Sequence, residues 1–393
     1  MLIPVKLVKK MTAGRTYRLR SLALPGLAIA LGAGLTQQIV SQPVEAPVPA
    51  ELTAAAHADP AWQTPRLSWG HPNLEGTFTS RDMSGIPMER PVQFGERGSL
   101  NEEEFLQRAS GGPGGLAALR AGDEFEGEAR LQLSALDSSE VGTRTFSYSS
   151  YIVTPVNGRV PALTAEGEQR QADFRSGQSN GPYFTTANFS YYDRCITRGI
   201  SGSILPSLYG DAMRIVQSPT EVAISYEMLH DTRIIPLNGR ALPDAGVTQY
   251  MGASTGHFEG DTLVVETRNL TDKLAIARYA HSLDAVLTER FTRIDPDMID
   301  YTVTVDDPRT FQSPWTFRLT LTTQPDYQIL EYSCHEGNFF VANALRAEQG
   351  YQQSVITAQA RGEPIPERQT STGGNEIYQA PSSEQAVDIN AAQ

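Results

Sequence analysis

In "WTFRLTLT", residues 315–322, Trp315, Phe317, Leu319 and Leu321 alternate with Thr316, Arg318 and Thr320. A period of two marks a strand with one buried face, because successive side chains leave the backbone on opposite sides. The pattern recurs upstream. "TEVAISYEM" sets Val222, Ile224 and Tyr226 against Ala223, Ser225 and Glu227. "TRIIPLNGRAL" follows with the turn pair Asn238-Gly239, then "DTLVVETRNL", opened by the turn "EGD". "AVLTERFTRIDPDMIDYTVTVDDP" reads as a hairpin closed between Ile294 and Ile299, and "YQILEYSC" reads as the last strand. Strands at 8–14-residue spacing with no helices between them predict an antiparallel meander. Seven or more such strands must close or stack to hide their edges. The expected fold is therefore mainly β, a meander closed into a lipocalin-like barrel in preference to a sandwich, over residues 145–345.

Upstream, "SLNEEEFLQRAS" has the Ser99/Glu102 spacing of a capping box and acids in its first turn, which predicts a short helix within residues 99–144. "GGPGG" at 111–115 ends it. Residues 47–98 read as a Pro/Ala-rich arm with a first strand in "LSWGHPNLEGTFTSRDM". Residues 346–393 are polar and poor in aliphatics, and are expected to be a disordered tail.

The first twenty residues are basic and contain no acid; "SLALPGLAIALGAGL" then supplies a short apolar run. This is the layout of a secretory signal over residues 1–46, and the run is short for a bilayer span. An uncleaved anchor is the alternative. Export to the periplasm or beyond follows, with no membrane span after signal removal. Export gives meaning to Cys195 and Cys334, the only two cysteines, which are expected to form one disulfide. Two free buried thiols are the rival. A net charge of −13 with no basic cluster past the leader argues against a nucleic-acid partner.

Six stretches stand in order: "YIVTPVNGRVPALTAEG", "EMLHDTRIIPLNGR", "FEGDTLVVETRNL", "ERFTR", "DDPRTFQSPW" and "EYSCHEGN". Together, over residues 145–345, they resemble a family of uncharacterised exported bacterial β-rich proteins carrying an EGDTLVV motif and a C-terminal CHEGN motif. The resemblance implies export and a β-rich fold and brings no activity with it. Where the family pattern reads Gly-Asp-Ser-Arg-Gly-Arg-Trp-Glu-Gly-Asp, this chain has "GASTGHFEGD"; Ala253, Thr255, His257 and Phe258 replace Asp, Arg, Arg and Trp. A ligand held by that loop in the family would meet different chemistry here.

A disulfide would hold its two α-carbons within about 7 Å. "DRCITRG" would then lie against "EYSCHEGN", gathering Asp193, Arg194 and Arg198 near Glu331, His335, Glu336 and Asn338. A His between carboxylates moves protons near neutral pH, and an Arg fork holds a carboxylate or a developing oxyanion. The catalytic candidates are His335 as proton carrier, Glu336 or Glu331 to orient it, and Arg194 or Arg198 to bind an anionic group. Asn338, Glu227, His230, Arg233 and His257 are candidate ligand contacts. The bland alternative is a polar turn, with Gly337 at positive φ and Asn338 as a cap.

No nucleophile elbow, P-loop or dinucleotide glycine fingerprint is present, and no two histidines have helix or strand spacing, so neither an organic cofactor nor a metal is expected. The expected activity is acid–base chemistry on a small organic molecule: a lyase, isomerase or hydrolase. The alternatives are a small-molecule carrier on the same barrel and a structural envelope protein.

Overall fold

The computed structural model describes residues 62–110, 145–176, 181–207, 210–324 and 327–368. The expected leader, the "GGPGG" break and residues 369–393 lie outside these ranges.

Ten strands form one antiparallel sheet. In chain order they are β1 (Gly76–Thr79), β2 (Ile152–Thr154), β3 (Ala212–Gln217), β4 (Glu221–Tyr226), β5 (Thr232–Pro236), β6 (Ala253–Glu259), β7 (Thr262–Arg268), β10 (Val286–Asp295), β11 (Met298–Asp306) and β12 (Trp315–Thr322). The remaining pair, β8 (Ala275–Ile276) and β9 (Tyr279–Ala280), makes a separate small hairpin. The helices are α1 (Glu102–Ser110), α2 (Ala165–Ser176), α3 (Gly199–Ile204) and α4 (Phe340–Arg361).

Strand order is β5-β4-β3-β1-β12-β11-β10-β7-β6, with β2 adding to β12. The single meander expected from the sequence is instead two antiparallel runs that β1 sews together: Phe78 registers with Met213 on β3, and Thr79 with Thr322 on β12. Register puts one apolar set on one face. Tyr301 stands opposite Leu319 and Phe291, Val303 opposite Phe317, and Val305 opposite Trp315. All of these side chains are buried in a single core cluster.

The same register places Glu289 between Leu287 and Phe291 on the inner face of β10. Arg233, opposite Ile224, sits on the inner face of β5. These strands are six places apart in the sheet, yet the guanidinium donates two bonds to the Glu289 carboxylate, at 2.6 and 2.8 Å. The sheet must therefore curl until its ends face each other. The closed, lipocalin-like barrel expected from the strand pattern is not found: among the described residues no ladder joins β5 to β6. The edges meet through a side chain laid over a glycine. A Cβ built on Gly256 would meet Ile235 Cγ2 at 2.8 Å.

Other expectations are corrected. The capping box of α1 is Asn101/Glu104, not Ser99/Glu102: the Glu104 N–H donates to Asn101 Oδ1 and the Asn101 N–H to Glu104 Oε2, each at 2.9 Å. The stretch after 145 does carry helices. α2 docks on the loop after β11 because Thr164 is tied to it at 3.0 Å and Gly167 leaves no room for a Cβ beside the Thr310 carbonyl. The Asn238-Gly239 turn makes no hairpin, since β5 and β6 do not pair. "YQILEYSC" is not a strand; where described, its residues run as irregular chain. Both neighbours of β12 are already taken, by β11 on one side and by β2 and β1 on the other. The expected disordered tail begins instead with the greater part of α4, whose C-terminus Gly362 caps at φ +67. Helix propensity there, in "NALRAEQGYQQSVITAQAR", outweighed the polar composition.

Candidate functional site

Cys195 and Cys334 are bonded, with their α-carbons 5.7 Å apart. The bond ties the loop 190–198 to the irregular segment 327–338, and a ring of polar contacts supports it. Asn338 Nδ2 donates to the Asp193 carbonyl at 2.8 Å and approaches Cys195 Sγ at 3.3 Å. The hydroxyls of Tyr192 and Tyr332 meet at 3.0 Å. Ser190 Oγ donates to Asp193 at 2.6 Å, and Thr197 Oγ1 to Asp231 at 2.6 Å. Burial holds the Asp231 carboxyl above its ordinary range, against that hydroxyl.

Glu227, expected on the polar face of its strand, is buried just beyond β4. Its carboxylate accepts the Tyr327 hydroxyl and the Leu330 N–H, the latter at 2.8 Å. It fastens segment 327–338 to the sheet. Arg233 is likewise in the core, where burial opposes its charge but Glu289 raises its pKa overall. Tyr301 donates to Glu289 at 2.8 Å, and burial followed by that carboxylate drives the phenol well upward. Arg233 and Tyr301 thus spend their bonds on Glu289, with Arg233 Nε left buried without a partner among the described residues. Neither Glu227 nor Arg233 lines either of the two cavities beside the disulfide.

The smaller of those cavities, about 120 Å³, is lined by Cys195, Leu229, His230, Ser333, Cys334, His335 and Glu336. His230 and His335 therefore do converge with Glu336, all three exposed. Three residues there hold left-handed backbone: Cys195 at φ +56, Leu229 at +61 and His230 at +43. Such strain gathers at functional sites more than elsewhere. Neither Arg194 nor Arg198 reaches this dent. Arg194 lies over the Tyr191 ring at 4.5 Å; Arg198 donates to Ser207 Oγ at 3.2 Å. Glu331 is exposed and takes the Ser333 hydroxyl at 3.2 Å. His257, on β6, is exposed beside Glu259 at 3.2 Å, away from both cavities.

The larger cavity is an open cleft of about 990 Å³. One wall is α2, presenting Glu166, Gln169, Arg170, Asp173 and Phe174; the other is the 187–198 loop, with Tyr191, Tyr192, Asp193 and Arg198. Asp272, Lys273 and Leu274 complete the lining. Arg170 is held by Glu166 at 2.6 Å and by Thr310 Oγ1 at 2.9 Å. Of the expected site residues only Arg198 lines this cleft, alongside Asp193 from the same motif. The α2 wall was missed because "AEGEQRQADFRS" has no apolar stripe to announce a helix. Its first-turn acids, Glu166 and Glu168, were the available signal.

Among the described residues no group of three His, Cys, Asp or Glu side chains could hold a metal, and no helix is long and apolar enough to cross a membrane. Comparison with known proteins finds no matching family model, no matching curated protein and no matching solved structure.

Proposed function

We propose that this chain is an exported small-molecule-binding protein whose ligand sits in the cleft between α2 and the 187–198 loop. The observation that carries the reading is the cleft's size and lining. Small-molecule sites run to roughly 300–1,000 Å³ and combine apolar surface with a few fixed polar groups. At about 990 Å³, with aromatic rings and both signs of charge on its walls, the cleft meets that description. The curled sheet serves as a rigid, barrel-like scaffold. Two observations support that role: the Arg233–Glu289 bridge across its interior and the approach of Ile235 to Gly256 at its open edge. The six ordered motifs support membership of the exported family that they resemble. Binding is tested by screening small molecules against the purified chain with thermal-shift and calorimetric readouts. Ligands that bind tightly but lose no affinity in Tyr191→Ala or Arg198→Gln would place the site elsewhere.

A second reading rests on the strained dent, where His335, with His230 and Glu336 beside it, would transfer protons on a substrate held at the disulfide. A metabolite screen for turnover tests it. Activity abolished by His335→Ala in a chain that still folds would favour it over simple binding.

A further inference from the structure

The cleft is lined by charges of both signs. Arg170, Arg198 and Lys273 share its walls with Glu166, Asp173, Asp193 and Asp272. An ion of either sign entering there meets attraction and repulsion together. A neutral ligand rich in hydroxyl groups gains from both sets: it donates to carboxylates and accepts from guanidinium and ammonium groups, and such charge-assisted bonds are the stronger kind. The lining also carries the half-buried rings of Phe174, Tyr191 and Tyr192, with Arg194 over one face of Tyr191 and Arg198 over one face of Tyr192. Aromatic faces of this kind match the C–H faces of a sugar ring, which are apolar while its edges are polar.

Resting on the reading of the cleft as a ligand site, we propose that it takes a neutral polyhydroxylated molecule, an oligosaccharide, and that Lys273 lies against it. The volume exceeds what a single sugar ring would fill. The walls are fixed before any ligand arrives: Tyr192 is held through Tyr332, Arg170 through Glu166 and Thr310, and the loop through the disulfide. Preorganised side chains lose little freedom on binding, which favours affinity.

Lys273 stands apart in the sequence as well. The chain has four lysines, and Lys6, Lys9 and Lys10 all lie in its first ten residues. Everywhere else this sequence places its positive charge on arginine. In the lining of the cleft it uses instead a compact ammonium with three rotatable donors on a flexible stem. A group of that kind can follow hydroxyls of differing orientation, which a planar guanidinium fork cannot.

The single distant lysine also supplies the assay. The purified chain is titrated calorimetrically with neutral oligosaccharides, acidic oligosaccharides, an aromatic carboxylate and an aromatic amine. In parallel, acylation of Lys273 by an amine-reactive ester is followed by peptide mass spectrometry. A neutral oligosaccharide is expected to bind and to slow Lys273 acylation. Tyr191→Ala should weaken that binding about tenfold, the scale of losing one anchoring aromatic. The surface control Arg290→Gln should leave both readouts unchanged. Protection by a charged aromatic probe with none from neutral sugars would overturn the ligand class and leave the cleft as a site. Sugar binding that neither shields Lys273 nor responds to Tyr191→Ala would overturn the assignment to this cleft. No protection by any probe would remove the cleft reading itself.

Discussion

The inside of the curled sheet and the cleft outside it are built from the same residue types, arranged to opposite ends. Inside, Arg233, Glu289 and Tyr301 are almost wholly buried and spend most of their hydrogen bonds on one another. Outside, Arg170, Arg198, Asp193 and Tyr192 are held in place while lining an open cavity of about 990 Å³. A charge in a low-dielectric interior must be matched completely or its desolvation goes uncompensated. A charge at a wet surface can keep bonding capacity in reserve. In this protein, then, polar residues inside the sheet specify its curl, and polar residues outside it are the ones a ligand can reach.

The strongest way to break that contrast is to remove one inner partner. Glu289→Ala should cost about 3–5 kcal/mol in chemical denaturation, because it strands a buried guanidinium. Replacing both partners, Arg233→Met with Glu289→Leu, should recover most of that loss. If the single variant is as stable as wild type, the pair does not hold the curl. Next comes the outer tie. Cys195→Ser with Cys334→Ser opens a link spanning 139 residues and should cost roughly 2–5 kcal/mol. Hydrogen exchange should rise in 190–198 and 327–338 while the sheet stays protected. Loss of protection throughout the sheet would show that the two regions are not separable.

Glu227 stands at the boundary between them. Glu227→Leu removes the acceptor of the Leu330 N–H and of the bond from the Tyr327 hydroxyl, and should cost about 1–3 kcal/mol. The loss should appear as local exchange in 327–338 ahead of global unfolding. Acid offers a graded probe. Burial lowers the pKa of His281, although a bond to the Ser282 carbonyl and the charges of Asp307 and Asp272 pull it upward. Its folded pKa lies below the unfolded value of about 6.5, so below that pH the unfolded chain binds the extra proton. Stability should therefore decline as pH falls through that value, by at most about 1.4 kcal/mol per unit, and level off below the folded pKa. His281→Gln should flatten the slope; an unchanged slope would assign it to other groups. The smallest effect is expected at the dent. His335→Ala, exposed and outside the core, should shift stability by no more than about 0.5 kcal/mol.

The inward place of Glu289 is legible in the sequence. In "VLTERF" the period of two sets it between Leu287 and Phe291, and a carboxylate on an inward face demands a cation. Arg233 occupies the same kind of position in "TRIIP", alternating with the exposed Ile234. What the sequence did not reveal is that these two would be partners, because they lie 56 residues apart on strands that never pair. "YQILEYSC" misled for a related reason. Its alternation suits a strand, but a strand exists only where a neighbour has backbone groups to spare.

The disulfide divides the candidate site in the same way. Pairing the only two cysteines was readable from their number and from the export expected of the basic N-terminal stretch before them. That it brings "DRCITRG" to "EYSCHEGN" followed directly. Side-chain direction did not follow. Arg194 lies over Tyr191 and Arg198 lines the cleft, while His335 and Glu336 line the smaller cavity with His230, and Cys195 between the two arginines has left-handed backbone.

Local periodicity alone marked which face of a strand would be apolar, since that depends only on neighbours along the chain; whether a periodic stretch such as "YQILEYSC" became a strand at all was decided by the neighbours it found in the fold. The curl of the sheet, the buried Arg233–Glu289 bridge and the cleft against α2 were decided by tertiary structure. They depend on which distant surfaces meet, and that is settled by packing and by matching buried charge across the whole molecule.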